Sequence, residues 1–127
     1  MFKTFTVIVA LVLSPTPALA DWKPLATGTI RDGITGFLAY YDPDRIVSEN
    51  GHIYVWLLAN IYPERDGHAS LAQYYQVDCR LVRFRRLELY SYPERMAKGR
   101  ETKLHDPLKW LHPSPGSTLD HLKEQVC

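Results

Sequence analysis

The sequence predicts an α+β fold, an antiparallel sheet of about six strands with one C-terminal helix tethered to it by a disulfide. Three observations carry that expectation. Short β-branched and aromatic runs recur between turn signals through most of the chain. One helical pattern closes it, with Leu119, Leu122 and Val126 at i, i+3 and i+7 on a single face. Only two cysteines occur, Cys79 in the middle and Cys127 as the last residue.

The first twenty residues set the compartment. Met1-Phe2-Lys3 is a short positive start, Phe5 to Leu13 is apolar apart from Thr6, and Pro15 and Pro17 break the run. Ala18-Leu19-Ala20 then gives the small-x-small pattern that signal peptidase reads. The apolar run is far shorter than the roughly 18 residues a bilayer span needs. Residues 1–20 are therefore expected to be a cleaved secretory signal and 21–127 a single exported domain with no transmembrane segment; the alternative is an uncleaved anchor. Asp21 follows the cleavage site, so the acceptor cysteine for lipid anchoring is missing there, and the product is expected in the periplasm or outside the cell.

Cleavage leaves 107 residues (127 less 20), and Lys3 leaves with the signal, so 14 basic side chains face 14 acidic ones. A neutral chain is not steered as a whole toward nucleic acid or an anionic membrane. Outside the cytoplasm two cysteines are expected to pair. A Cys79–Cys127 bond closes a loop worth about 4 kcal/mol in the chain-entropy model.

Trp22 to Thr29 reads as an opening strand, placed at an edge by Pro24. Phe37 to Tyr41 is a second, ended by Asp42-Pro43-Asp44. Asn50-Gly51 is a strong turn signal before His52 to Tyr62, the clearest strand, and Pro63 to Gly67 reads as a polar loop. Leu71 to Tyr92 is too long for one strand in a compact domain, so it is expected to fold back at Asp78-Cys79-Arg80. Gly99 to Leu104 adds a short sixth strand. Asp106-Pro107 and Pro113 to Gly116 mark an irregular connection around Trp110. Ser117 is the expected helix N-cap, with Asp120 as a short capping-box acid. A helix of about ten residues is not stable alone in water, so it needs the sheet and the disulfide.

Signatures of catalysis are missing. Neither a glycine-rich phosphate loop nor a Gly-x-Ser-x-Gly elbow occurs, and an oxidised Cys79 is no nucleophile. Asp42 and Asp44 flank a turn proline, where carboxylates bond backbone N–H groups. Asp78 is expected to pair with Arg80 or a nearby arginine. His105, His112 and His121 are spaced by seven and nine, which fits no zinc pattern, and no cofactor motif appears. The expectation is a protein that is not an enzyme.

Arg80, Arg83, Arg85 and Arg86 form the one local concentration of positive charge and are the candidate binding residues. Alternation sends Arg83 and Arg85 to one face, with Arg80 and Arg86 on the other if the strand is regular. Leu81 and Leu87 share the first face, which suggests arginine stems covering apolar surface. Two roles compete, ion-paired structural arginines and an anion-binding contact. Tyrosine is abundant, and a sheet face carrying Tyr40, Tyr74 or Tyr90 suits contact with a partner or a second protomer.

An ordered set of short motifs now becomes recognisable. It runs from Trp22 through Tyr40-Tyr41-Asp42-Pro43-Asp44, Ile46 and Val55-Trp56-Leu57 to Tyr75-Gln76-Val77-Asp78-Cys79. It continues with Arg83-Phe84-Arg85-Arg86-Leu87, Trp110, Pro115-Gly116-Ser117 and Cys127. In this set the chain resembles the surface-adhesin protein E family of small exported bacterial proteins. The resemblance implies a six-stranded antiparallel sheet with a disulfide-held C-terminal helix. It also implies a binding module for host matrix or serum proteins, vitronectin, laminin and plasminogen among them, that can dimerise. The competing expectation is a periplasmic accessory or small-ligand-binding protein on the same scaffold.

Overall fold

The computed structural model describes residues 21–29, 33–105 and 108–127. Residues 1–20, expected from the sequence to be a secretory signal, and Asp106-Pro107 lie outside them. Seven strands form one antiparallel sheet: β1 (Lys23–Thr29), β2 (Gly36–Tyr41), β3 (Val47–Glu49), β4 (His52–Arg65), β5 (His68–Asp78), β6 (Arg83–Tyr92) and β7 (Thr102–Leu104). One helix, α1 (Thr118–Val126), follows. The spatial order is β1-β2-β4-β5-β6-β7, and β3 pairs with β4 beyond the end of β2. The opening strand with Pro24 is an edge, where a residue without an N–H is tolerated.

The strand beyond the expected six is β3, three residues that resume the edge of β4 after a short 3-10 turn at Pro43–Arg45. That turn forms because Asp42 Oδ1 accepts from the Asp44 N–H (3.0 Å) and Oδ2 from Arg45 Nε. Asn50 and Gly51 both take positive φ (50° and 79°), the geometry of a two-residue hairpin turn. The expected loop at 63–67 is shorter in fact. The strand β4 runs on to Arg65, and only Asp66 and Gly67, again both at positive φ, make the turn into β5. Pro63 fits because the β4–β5 register is interrupted between Asn60 and Arg65. The fold-back after Asp78 occupies Cys79 to Val82, slightly later than expected.

The helix covers one face of the sheet. Leu122 is fully buried with Ala39, Tyr41, Val55, Leu57, Tyr75, Val77 and Phe84, and Leu119 and Val126 pack at the margin. Ser117 caps the helix by accepting from the Asp120 N–H at 3.2 Å. The Asp120 carboxylate reaches back to the Gly116 N–H (2.9 Å), one residue before the cap. The Cys79–Cys127 disulfide ties the helix end to the turn between β5 and β6. A smaller cluster on the opposite face comprises Trp56, Leu58, Ala72, Tyr92 and Ala97.

Candidate protein-contact face

The sheet face opposite α1 carries the candidate site. Alternation along β6 puts Arg83 and Arg85 on it, opposite Asp78 and Gln76 of β5. Arg83 Nε donates to Asp78 Oδ2 at 2.9 Å. The Arg85 Nε and Nη2 groups both donate to Gln76 Oε1, at 3.0 and 2.6 Å. Gln76 Nε2 in turn donates to Tyr54 Oη and lies 3.2 Å from His52 Nδ1. The Leu81 N–H bonds the Asp78 carboxylate and holds it below the ordinary carboxylate range against the opposing effect of burial; Arg83 lowers it further.

Both guanidinium groups stack on Trp110, 4.1 and 4.5 Å from the ring centroid. The ring is fixed there by its neighbour: Leu111 and Phe84 exchange two backbone hydrogen bonds of 2.7 and 2.8 Å. Trp110 has no such role in the sequence reading, because nothing local to it signals that the 108–112 segment returns along β6. The apolar surface under the arginine stems is thus the Trp110 indole, whereas Leu81 sits in the turn and is exposed.

A bulge joins this strip to a row of aromatics. Tyr75 pairs with Arg86 but Tyr74 with Glu88, so Leu87 is an extra residue on β6. The extra residue reverses the parity of the strand, bringing Glu88 and Tyr90 to the same face as Arg83 and Arg85. There Tyr54 stacks on Tyr74 (6.1 Å between centroids), Tyr74 meets Trp56 (4.8 Å), and Trp56 meets Tyr90 (6.1 Å). Arg45 lies over Trp56 and Lys103 over Tyr90. Tyr54, Tyr74 and Tyr90 are half-buried, and Tyr40 packs beside them on the same face. Burial, with Glu88 second, pushes the Tyr74 and Tyr90 phenols up, so both stay neutral donors at ordinary pH.

The four candidate arginines therefore divide. Arg83 and Arg85 share the aromatic face. Arg86 points to the helix side, where Nη1 donates to Gln73 Oε1 at 2.8 Å. Arg80 lies in the turn and is exposed. Asp78 takes Arg83, not Arg80, as its ion-pair partner. His105, His112 and His121 are exposed, and among the described residues no three metal-ligating side chains converge. No helix among the described residues is long and apolar enough to cross a membrane.

The sheet with its one tethered helix thus carries a polar-aromatic strip on the face opposite α1. The model of the surface-adhesin protein E family matches residues 22–127, and the chain belongs to that family. Among solved structures, crystal form II of Haemophilus influenzae protein E superposes with a TM-score of 0.64 at 18% identity, covering 91% of this chain and 94% of that one. The selenomethionine form of the same protein gives 0.63 at 17% identity, with 91% and 92% covered. Protein E from non-typeable H. influenzae matches over 68% of this chain and 66% of its own, with a TM-score of 0.53 at 18% identity. At these identities the likeness is one of fold. No curated protein matches by sequence.

Proposed function

We propose that this chain is an exported, non-enzymatic adhesin-like module that binds protein partners through the face bearing Arg83, Arg85 and Trp110 and the tyrosine row beside them. On this reading residues 1–20 are removed and residues 21–127 act as one domain. The partners implied by the family resemblance are host matrix and serum proteins such as vitronectin, laminin and plasminogen, and a second protomer is a further partner of the same kind. The observation that carries the proposal is the β6 bulge. It brings Tyr90 onto the face that already carries the stacked Arg83 and Arg85 and the half-buried Tyr54 and Tyr74, a face that the helix leaves open. Arginine and tyrosine are the residue types that anchor protein interfaces, by bidentate hydrogen bonding and by large area at low entropic cost. Arg80, exposed in the neighbouring turn, extends the positive end of the strip.

Two measurements test it. Protease or antibody accessibility on intact cells, with a periplasmic control, is expected to label this protein while the control stays protected. Binding to immobilised matrix proteins is expected to weaken with salt and to drop in the Arg83→Ala/Arg85→Ala double variant. A protein shielded until the outer membrane is breached, or a double variant that binds as before, removes this reading.

A further inference from the structure

The helix leaves part of its own side of the sheet uncovered. Next to its first turn, at Thr118 and Leu119, a groove of about 320 Å³ opens over Phe37, Ala39, Ala59, Ile61 and Leu71. Alanines at 39 and 59 on adjacent strands keep its floor low between the larger side chains. The volume falls at the lower end of small-molecule sites, about 300–1,000 Å³. The lining is mostly apolar, with the Thr118 hydroxyl at the helix end and the side chains of Gln73 and Tyr75 as its polar members. Gln73 is 8% exposed, and its Oε1 accepts from Tyr75 Oη (3.0 Å) and Arg86 Nη1 (2.8 Å). The Arg86 donor fixes the orientation of the carboxamide, since a guanidinium cannot accept and a flipped amide would face it N–H against N–H. Gln73 Nε2 is left lining the groove with no hydrogen-bond partner among the described residues.

We propose that this groove binds a medium-chain carboxylate. Its alkyl chain lies over Phe37, Ala59, Ile61 and Leu71, and one carboxylate oxygen accepts from Gln73 Nε2. A donor held in an apolar site without a partner calls for an acceptor there. The anionic form is favoured by the Arg86 guanidinium, which bonds the same carboxamide. The groove accommodates a chain of about ten carbons, so decanoate is the probe. This site lies on the opposite side of the sheet from the arginine–tyrosine strip and stands or falls independently of it.

The test is calorimetric titration of the purified protein with decanoate below its micellar concentration, with the Gln73 side-chain amide followed by ¹⁵N NMR. Saturable one-to-one binding with a shift of that amide signal is expected. Gln73→Glu keeps an acceptor for Tyr75 and Arg86 but removes the donor, so decanoate affinity is expected to fall about tenfold or more. Decanol, whose hydroxyl can donate to the new carboxylate, is expected to bind that variant within about threefold of its affinity for the unaltered protein. Ala59→Phe fills the groove and is expected to weaken both ligands, with the melting temperature showing that it folds. No saturable binding, or equal decanoate affinity in both variants, overturns the proposal. So does a native dimer that Ala59→Phe dissociates without any decanoate response, because a second copy then occupies the groove.

Discussion

The Arg83 guanidinium lies 4.1 Å from the Trp110 ring centroid while its Nε donates to Asp78, so one side chain joins the chain's return segment to the end of β5. The indole has a second cation on it, Arg85 at 4.5 Å; the Asp78 carboxylate offsets the charge of Arg83, while Arg85 donates to the neutral Gln76 carboxamide. Removing the ring leaves both guanidinium groups tied to β5 but without an apolar platform. Trp110→Ala is therefore expected to lose about 1–2 kcal/mol in urea unfolding, from two partly exposed cation–π contacts. It is also expected to weaken partner binding more than Arg80→Ala does. A variant as stable as the parent would mean that the stack is incidental.

The disulfide joins residues 48 apart in sequence and is the covalent anchor of a nine-residue helix. Closing a loop of that length is worth about 4 kcal/mol through the unfolded chain. Cys127→Ser is expected to lower the unfolding free energy by about that amount, and the parent in reductant is expected to behave the same way. Urea curves with and without reductant check both. A parent that is indifferent to reductant contradicts the assignment of the tether as a main stabiliser.

Leu122 is the one helix residue with no exposed surface, seated among Val55, Val77 and Phe84. Leu122→Ala removes that burial and leaves a cavity, at a cost of about 2–5 kcal/mol. The tether keeps the helix near the sheet, so the loss should show first as faster amide exchange in residues 118–126, ahead of the strands. Uniform exchange across helix and sheet would mean that the two unfold as one unit.

Local chemistry made most of the fold readable. Asn50-Gly51, Ser117 and the Leu119-Leu122-Val126 face each act through neighbours in sequence, and each stands in the structure where the pattern puts it. Asp66-Gly67 is as strong a turn signal as Asn50-Gly51. The sequence reads Pro63 to Gly67 as one polar loop, whereas the strand continues through Pro63 to Arg65, where the β4–β5 register is interrupted and a residue without an N–H is tolerated. The candidate face was legible only in pieces. Alternation pairs Arg83 with Arg85, but the parity switch at Leu87 depends on pairing with Tyr74 and Tyr75, which no local pattern encodes. The Trp110 platform depends likewise on the contact of Leu111 with Phe84, 27 residues away in sequence.

Asp78 predicts how stability changes with acid. Its carboxylate takes hydrogen bonds from the Leu81 N–H (3.1 Å) and from Arg83 Nε (2.9 Å), with His52 Nε2 at 4.0 Å, and its folded-state pKa is lowered. A carboxyl whose folded pKa lies below its unfolded value, about 3.9, stabilises the fold above that value. The contribution is lost as pH falls through the unfolded and then the folded pKa, because the unfolded chain takes up the proton first. Asp120 works in the same direction, lowered chiefly by the Gly116 N–H and then by Lys123 at 3.1 Å. Melting temperatures measured from pH 6 down to pH 2 are thus expected to fall steeply below about pH 4. Asp78→Asn should melt lower than the parent at pH 6 and lose less on acidification, so that the two curves converge toward pH 2. Parallel curves would show that Asp78 is no more stabilised as an anion in the folded protein than in the unfolded chain.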